Sequence, residues 1–197
     1  IQPSSNSYEQ IKEALILAET GDVIRLTAGT FHLADSLSLE VDGVQIEGEG
    51  MNQTILDFQN QQSGAQGLSV TSDNVTLQDF SVQNAKGDAI KVKGVRNIKF
   101  LRVKTEWTNG PSPKNGAYGL YPVESTNVLI DGCVAIGASD AGIYVGQSKY
   151  IIVRNSRAEF NVAGIEIENS YFADVHDNLA TNNTGGILVF DLPSLPQ

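Results

Sequence analysis

Six side chains fall at two fixed offsets from a repeated aliphatic anchor. Lys91, Tyr121, Tyr144 and Glu166 each follow an anchor by one residue, and Lys93 and Glu168 follow one by three. On an extended strand both offsets point away from the side that the anchor faces. These positions therefore share one outer strip, to which Tyr118, just ahead of an anchor, is added. Tyrosine offers a flat apolar face with a polar tip, which suits a sugar ring. Lysine neutralises a carboxylate, as in a uronate. Removing a proton beside a carboxylate needs that neutraliser together with a base and an acid. Lys91 or Lys93 would fill the first role, and Tyr118 or Tyr121 would move the proton. Glu166 and Glu168, two residues apart on a strand, would stand roughly 6–7 Å apart. That is the reach of an inverting glycosidase pair, although alternating glutamates on a strand usually serve solubility.

The elements that would hold these residues follow from the repeat. The phrase is a small residue, an aliphatic, any residue, then an aliphatic. It occurs at Gly67–Val70, Ala89–Val92, Gly119–Pro122, Gly142–Val145, Gly164–Ile167 and Gly186–Val189. Its anchors are Leu68, Ile90, Leu120, Ile143, Ile165 and Ile187, spaced by 22, 30, 23, 22 and 22 residues. A second alternating strand follows each phrase, with inward pairs such as Ile98 with Phe100 and Ile151 with Val153. A coil of short strands leaves backbone groups unpaired above and below. It satisfies them by stacking on another coil about 4.8 Å away. The reading is an all-β, single-stranded parallel β-helix of right-handed type. A leucine-rich repeat is excluded by the missing LxxLxL phrase and helical segment.

One domain spans 1–197, with a capping α-helix over 7–19, irregular coils over 23–60 and regular coils over 67–190. In the helix, Ser7 reads as the N-cap, and Ile11, Ala14, Leu15 and Ala18 share a face. The 30-residue repeat carries an insertion of about eight residues between Glu106 and Ala117 that holds the single Trp107. Inserted solenoid loops gather on one face and build binding walls, so Trp107 joins the strip as a ligand contact. Asn74, Asn97 and Asn127 recur at one turn and read as an amide ladder. No cap follows Val189, and the chain starts at Ile1 without Met. The expectation is a piece of a longer β-helix, with end-to-end self-association through the open last coil.

The remaining residues bound the function. A net charge of −10 with pI near 4.5 disfavours nucleic acid. Seven of the 13 basic residues nevertheless fall between Lys86 and Lys104, making one coil basic. No apolar run is long enough to insert in a membrane. His32 and His176 lie in different coils without a ligand pattern, so no metal is expected, and no cofactor motif is present. Cys133 falls at an inward phase and reads as a core residue.

The N-terminal helix, Gly21–Leu26, Gly29-Thr30-Phe31 and the repeats resemble the right-handed β-helix proteins of carbohydrate-binding and sugar-hydrolase type. These include pectate lyases and mannuronan C5-epimerases. Tyr118-Gly119-Leu120-Tyr121-Pro122-Val123-Glu124 is similar to the Tyr-Gly-Phe-Asp-Pro-His-Glu motif of the epimerases. The motif's catalytic Asp is Tyr121 here, and its catalytic His is Val123. The resemblance implies a secreted, periplasmic or cell-surface protein that binds an acidic polysaccharide, with epimerase activity degenerate. An active uronate lyase or epimerase, and a structural or adhesion module without a sugar ligand, are the alternatives.

Overall fold

The fold is described from a computed structural model, over residues 1–195. The chain winds through seven coils of three strands each, stacked as three seven-stranded parallel sheets. Coil 1 comprises Val23–Arg25, Gly29–His32 and Leu37–Leu39, one strand in each of the first, second and third sheets. Coil 7 comprises Tyr171–His176, Leu179–Thr181 and Gly185–Phe190. The third sheet is built from Leu37–Leu39, Leu68–Val70, Ile90–Lys93, Leu120–Val123, Ala141–Gly146, Ala163–Glu168 and Gly185–Phe190.

All six anchors lie in one ladder of the third sheet. Leu68 pairs with Ile90, Ile90 with Leu120, Leu120 with Ile143, Ile143 with Ile165, and Ile165 with Ile187. Leu37 begins the row by pairing with Leu68. Leu68, Ile90, Leu120, Ile143 and Ile165 are all fully buried. Truncating one such side chain to Ala costs about 2–5 kcal/mol, because neighbours in adjacent coils cannot close the gap. The inward positions of coil 7 are open by contrast: Ile187 is 49% and Val189 76% exposed.

The corners are held by side-chain ladders. Asn74, Asn97 and Asn127 adopt left-handed backbone, φ 58–61°, which asparagine tolerates. Asn97 Nδ2 donates to Asn74 Oδ1 at 2.7 Å, and Asn127 Nδ2 to Asn97 Oδ1 at 2.8 Å, so the expected amide ladder is present. Tyr150 and Phe172 continue the same left-handed row with stacked rings 5.1 Å apart. At the corner between the third and first sheets, Ser125, Ser148 and Ser170 form an inner ladder. Ser148 Oγ accepts the Ser125 amide at 3.0 Å and donates to the Gly146 carbonyl at 2.7 Å. Cys133 is buried in the core, and burial pushes its thiol up to about 12.

The helix spans Ser7–Leu17 and packs on strands Leu37–Leu39 and Gly29–His32 of coil 1. Ile11 and Leu15 are buried, with Ala14 and Ala18 packed beside them. One detail corrects the sequence reading. Asn6, not Ser7, is the N-cap. Ser7 is already helical and buried, and its hydroxyl donates back to the Ser4 carbonyl at 2.8 Å. The helix also stops at Leu17 rather than Glu19.

Candidate functional site

The outward rows of the third sheet run as the offsets require. Ser69 pairs with Lys91, Lys91 with Tyr121, Tyr144 with Glu166, and Glu166 with Leu188. The parallel row joins Lys93, Val123, Gly146, Glu168 and Phe190. Side chains one step apart in a row are separated by about one strand spacing, 4.8 Å. A face of coils 3 to 6 thus carries lysines at one end, tyrosines in the middle and glutamates at the other.

The tyrosines touch each other. Ring centroids of Tyr118 and Tyr121 are 4.4 Å apart, those of Tyr118 and Tyr144 4.8 Å, and those of Tyr121 and Tyr144 5.1 Å. Lys91 Nζ sits 4.9 Å above the Tyr121 ring and 3.9 Å from Asp88. That cation–π contact and ion pair hold the ammonium on the strip. Lys93 pairs with Glu124 at 3.5 Å and is more exposed.

The phenols point at carboxylates. Tyr144 Oη donates to Glu168 Oε1 at 3.0 Å, and Tyr118 is hydrogen-bonded to Asp140. Burial, then the negative charge of Asp140, raises the Tyr118 phenol above its ordinary value. Burial and Glu168 raise Tyr144 in the same direction, and burial and Asp88 raise Tyr121. None of the three is poised as a base near neutral pH. Gly146 gives Tyr144 its space, since a Cβ there would collide with the ring and hydroxyl.

Glu166 and Glu168 are each only 8% exposed. The sequence reading placed them roughly 6–7 Å apart, within reach of an inverting glycosidase pair, and this is corrected. The two carboxyls are hydrogen-bonded to each other. Burial, then Asp140 and Glu168, lifts Glu166 to about 7. Glu166 therefore holds its proton up to near neutrality, since its charged form would be buried beside other carboxylates.

Trp107 is a second correction. Its side chain is 5% exposed and lies in the hydrophobic core, with the indole N–H donating to the Ala85 carbonyl at 2.8 Å. It anchors the inserted turn and does not face the strip. That turn, 107–119, joins the second sheet to the third, at the same corner as the long turn 58–67 of coil 2. Asp88, Asp140 and Gln147 are site residues that the repeat phase missed. The two aspartates precede strands and Gln147 follows one, so none sits at an alternating position. Among the described residues, no group of three or more His, Cys, Asp or Glu is placed to hold a metal ion. None of the described helices is long and apolar enough to cross a membrane.

The stacked three-strand coils and their ladders define a parallel β-helix that bears an aromatic and carboxylate strip on one sheet. Residues 42–194 match the family model "Right handed beta helix region", and the chain belongs to that family. No curated protein sequence matches the chain. Among solved structures, it is similar to the A-module of the Azotobacter vinelandii mannuronan C-5 epimerase AlgE4, with TM-score 0.72 and 19% identity. That match covers 94% of this chain but spans only 56% of the epimerase module. An alginate lyase from Paenibacillus sp. str. FPU-7 matches with TM-score 0.57 and 17% identity, over 87% of this chain and 73% of the lyase. Gene product 12 of bacteriophage phi29 matches with TM-score 0.68 and 16% identity, over 87% of this chain and 26% of the phage protein. At these identities the likeness is one of fold.

Proposed function

We propose that this β-helix binds an acidic polysaccharide along the outward face of its third sheet, and that epimerase-type catalysis is lost from that face. The mutually packed rings of Tyr118, Tyr121 and Tyr144 carry the reading, because they form a preorganised aromatic platform beside a fixed ammonium. A uronate carboxylate would meet Lys91 and Lys93, and the sugar rings would lie over Tyr118 and Tyr121, with the buried Tyr144 holding those two rings in place. The epimerase-like segment supports loss of catalysis: Tyr121 and Val123 occupy the acidic and histidine positions, and Val123 is buried. The phenols also lie above their ordinary range, the wrong direction for a base. A secreted, periplasmic or cell-surface setting belongs to this reading.

The test is an oligosaccharide binding array, followed by titration of Tyr144→Ala and Lys91→Ala against uronate oligomers. Weakened binding in both variants supports the strip, and unchanged affinity in both removes it. Proton NMR on polymannuronate should show no appearance of guluronate, and rapid conversion would overturn the loss of catalysis. A second reading, an active lyase or epimerase, has one observation in its favour. Glu166, at about 7, is the one strip carboxyl suited to general acid–base work. Guluronate formation or unsaturated products abolished by Glu166→Gln would establish it.

A further inference from the structure

A second cleft lies at the corner where the second sheet turns into the third. It is an open groove of ≈ 460 Å³ between the inserted turn and the turns that open the last two strands of the third sheet. Pro111 and Pro113 of the inserted turn, Phe160 and Val162 of coil 6, and Asn182 and Thr184 of coil 7 line it. None of its lining residues carries a charge, on a chain with 23 acidic and 13 basic residues.

Phe160 is the unusual member of this groove, although Tyr150 and Phe172 take the same left-handed backbone at another corner. The row it belongs to follows the paired positions Glu106, Ile136, Glu159 and Thr181, so Trp107, Gly137, Phe160 and Asn182 are equivalent. Gly137 and Asn182 have φ of 81° and 56°, which suits those residue types. Phe160 has φ 59°, although an aromatic residue pays on the order of 1–3 kcal/mol for that backbone. The residue stays 43% exposed, so burial recovers only part of this cost. Coil 6 therefore holds a ring in the groove where Asn or Gly would be cheaper.

We propose that this groove is a binding site for a neutral sugar unit, distinct from the uronate strip and not dependent on it. The ring and the two prolines present apolar faces to the C–H side of a pyranose. The exposed side chains of Asn182 and Thr184 offer an amide and a hydroxyl that match sugar hydroxyls. The volume lies within the range of small-ligand sites. Absence of charge selects against a uronate, which would leave its carboxylate unpaired on desolvation.

The test uses backbone amide NMR of the full chain with cellotetraose, mannotetraose and a mannuronate tetramer at millimolar concentration. A neutral tetraose is expected to shift Phe160, Val162 and Thr184. Phe160→Asn, which takes this backbone readily, should keep or raise the melting temperature and weaken that binding tenfold or more. Val162→Thr, a change of wall without a change of backbone, should weaken it several-fold. Tyr144→Ala should leave it unchanged. The proposal is overturned if neither neutral tetraose shifts these residues, or if Phe160→Asn loses less than tenfold. It is equally overturned if the mannuronate tetramer binds there as tightly, if Tyr144→Ala abolishes the shifts, or if the same shifts arise from protein concentration alone.

Discussion

Replacing Glu166 with glutamine tests whether the strip stores a proton. In the folded chain this carboxyl is raised from 4.5 to about 7 by burial and by Asp140 and Glu168. A tenfold change in proton affinity is worth about 1.4 kcal/mol, so the raised value corresponds to about 3 kcal/mol as a ceiling. The sign follows from linkage. Below pH 4.5 the group is protonated in both folded and unfolded chains, and its neutral form fits the site. As pH rises to about 7, the unfolded chain releases the proton freely while the folded chain must keep it or bury a charge. Wild-type stability from this group is thus full at low pH and lost by pH 7 to 8. Glutamine keeps the shape and never ionises. The variant should match wild type at pH 4 and exceed it by about 2–3 kcal/mol at pH 8. For a domain of this size that is roughly 4–12 °C in melting temperature. Paired thermal unfolding curves of the two proteins across pH 4–8 cancel the titration of the carboxylates that do not touch Glu166. A difference that stays flat with pH, or a variant less stable at pH 8, refutes the reasoning.

Three further outcomes follow from the packing. Gly146→Ala should displace the Tyr144 ring and cost about 1–3 kcal/mol by overpacking, visible as a lowered melting temperature and altered Tyr144 resonances; an unmoved ring contradicts the packing described. Cys133 should resist thiol reagents at pH 8 in the folded chain and react on unfolding, because its thiol is buried and raised to about 12; rapid labelling of the native chain contradicts this. The 197-residue chain should self-associate at high concentration through the open inward row of coil 7, and Val189→Lys should suppress it; sedimentation showing a strict monomer at all concentrations contradicts it.

Periodicity made the scaffold legible. A stacked coil forces equivalent residues into register, so the spacing of Ile143, Ile165 and Ile187 already fixes the ladder and, with it, the outward rows of Lys91 to Leu188. The Asn74–Asn97–Asn127 ladder was legible for the same reason. Residues in turns obey no such period. Trp107 shares a row with Phe160, yet Phe160 takes left-handed backbone and lines a groove, whereas Trp107 does not and turns inward. Asp88 and Asp140 reach the site from turns, so alternation could not find them. Strand spacing sets the Glu166–Glu168 separation at the backbone, but not the hydrogen bond between their carboxyls, which depends on side-chain packing.

The most direct measurement is a backbone and side-chain NMR titration of the full chain with a mannuronate tetramer. The account predicts shifts concentrated on Lys91, Tyr121, Tyr144 and Glu166, with fast loss of the effect in Tyr144→Ala. Shifts confined to the first or second sheet, or none at millimolar ligand, would contradict a polysaccharide-binding strip on the third.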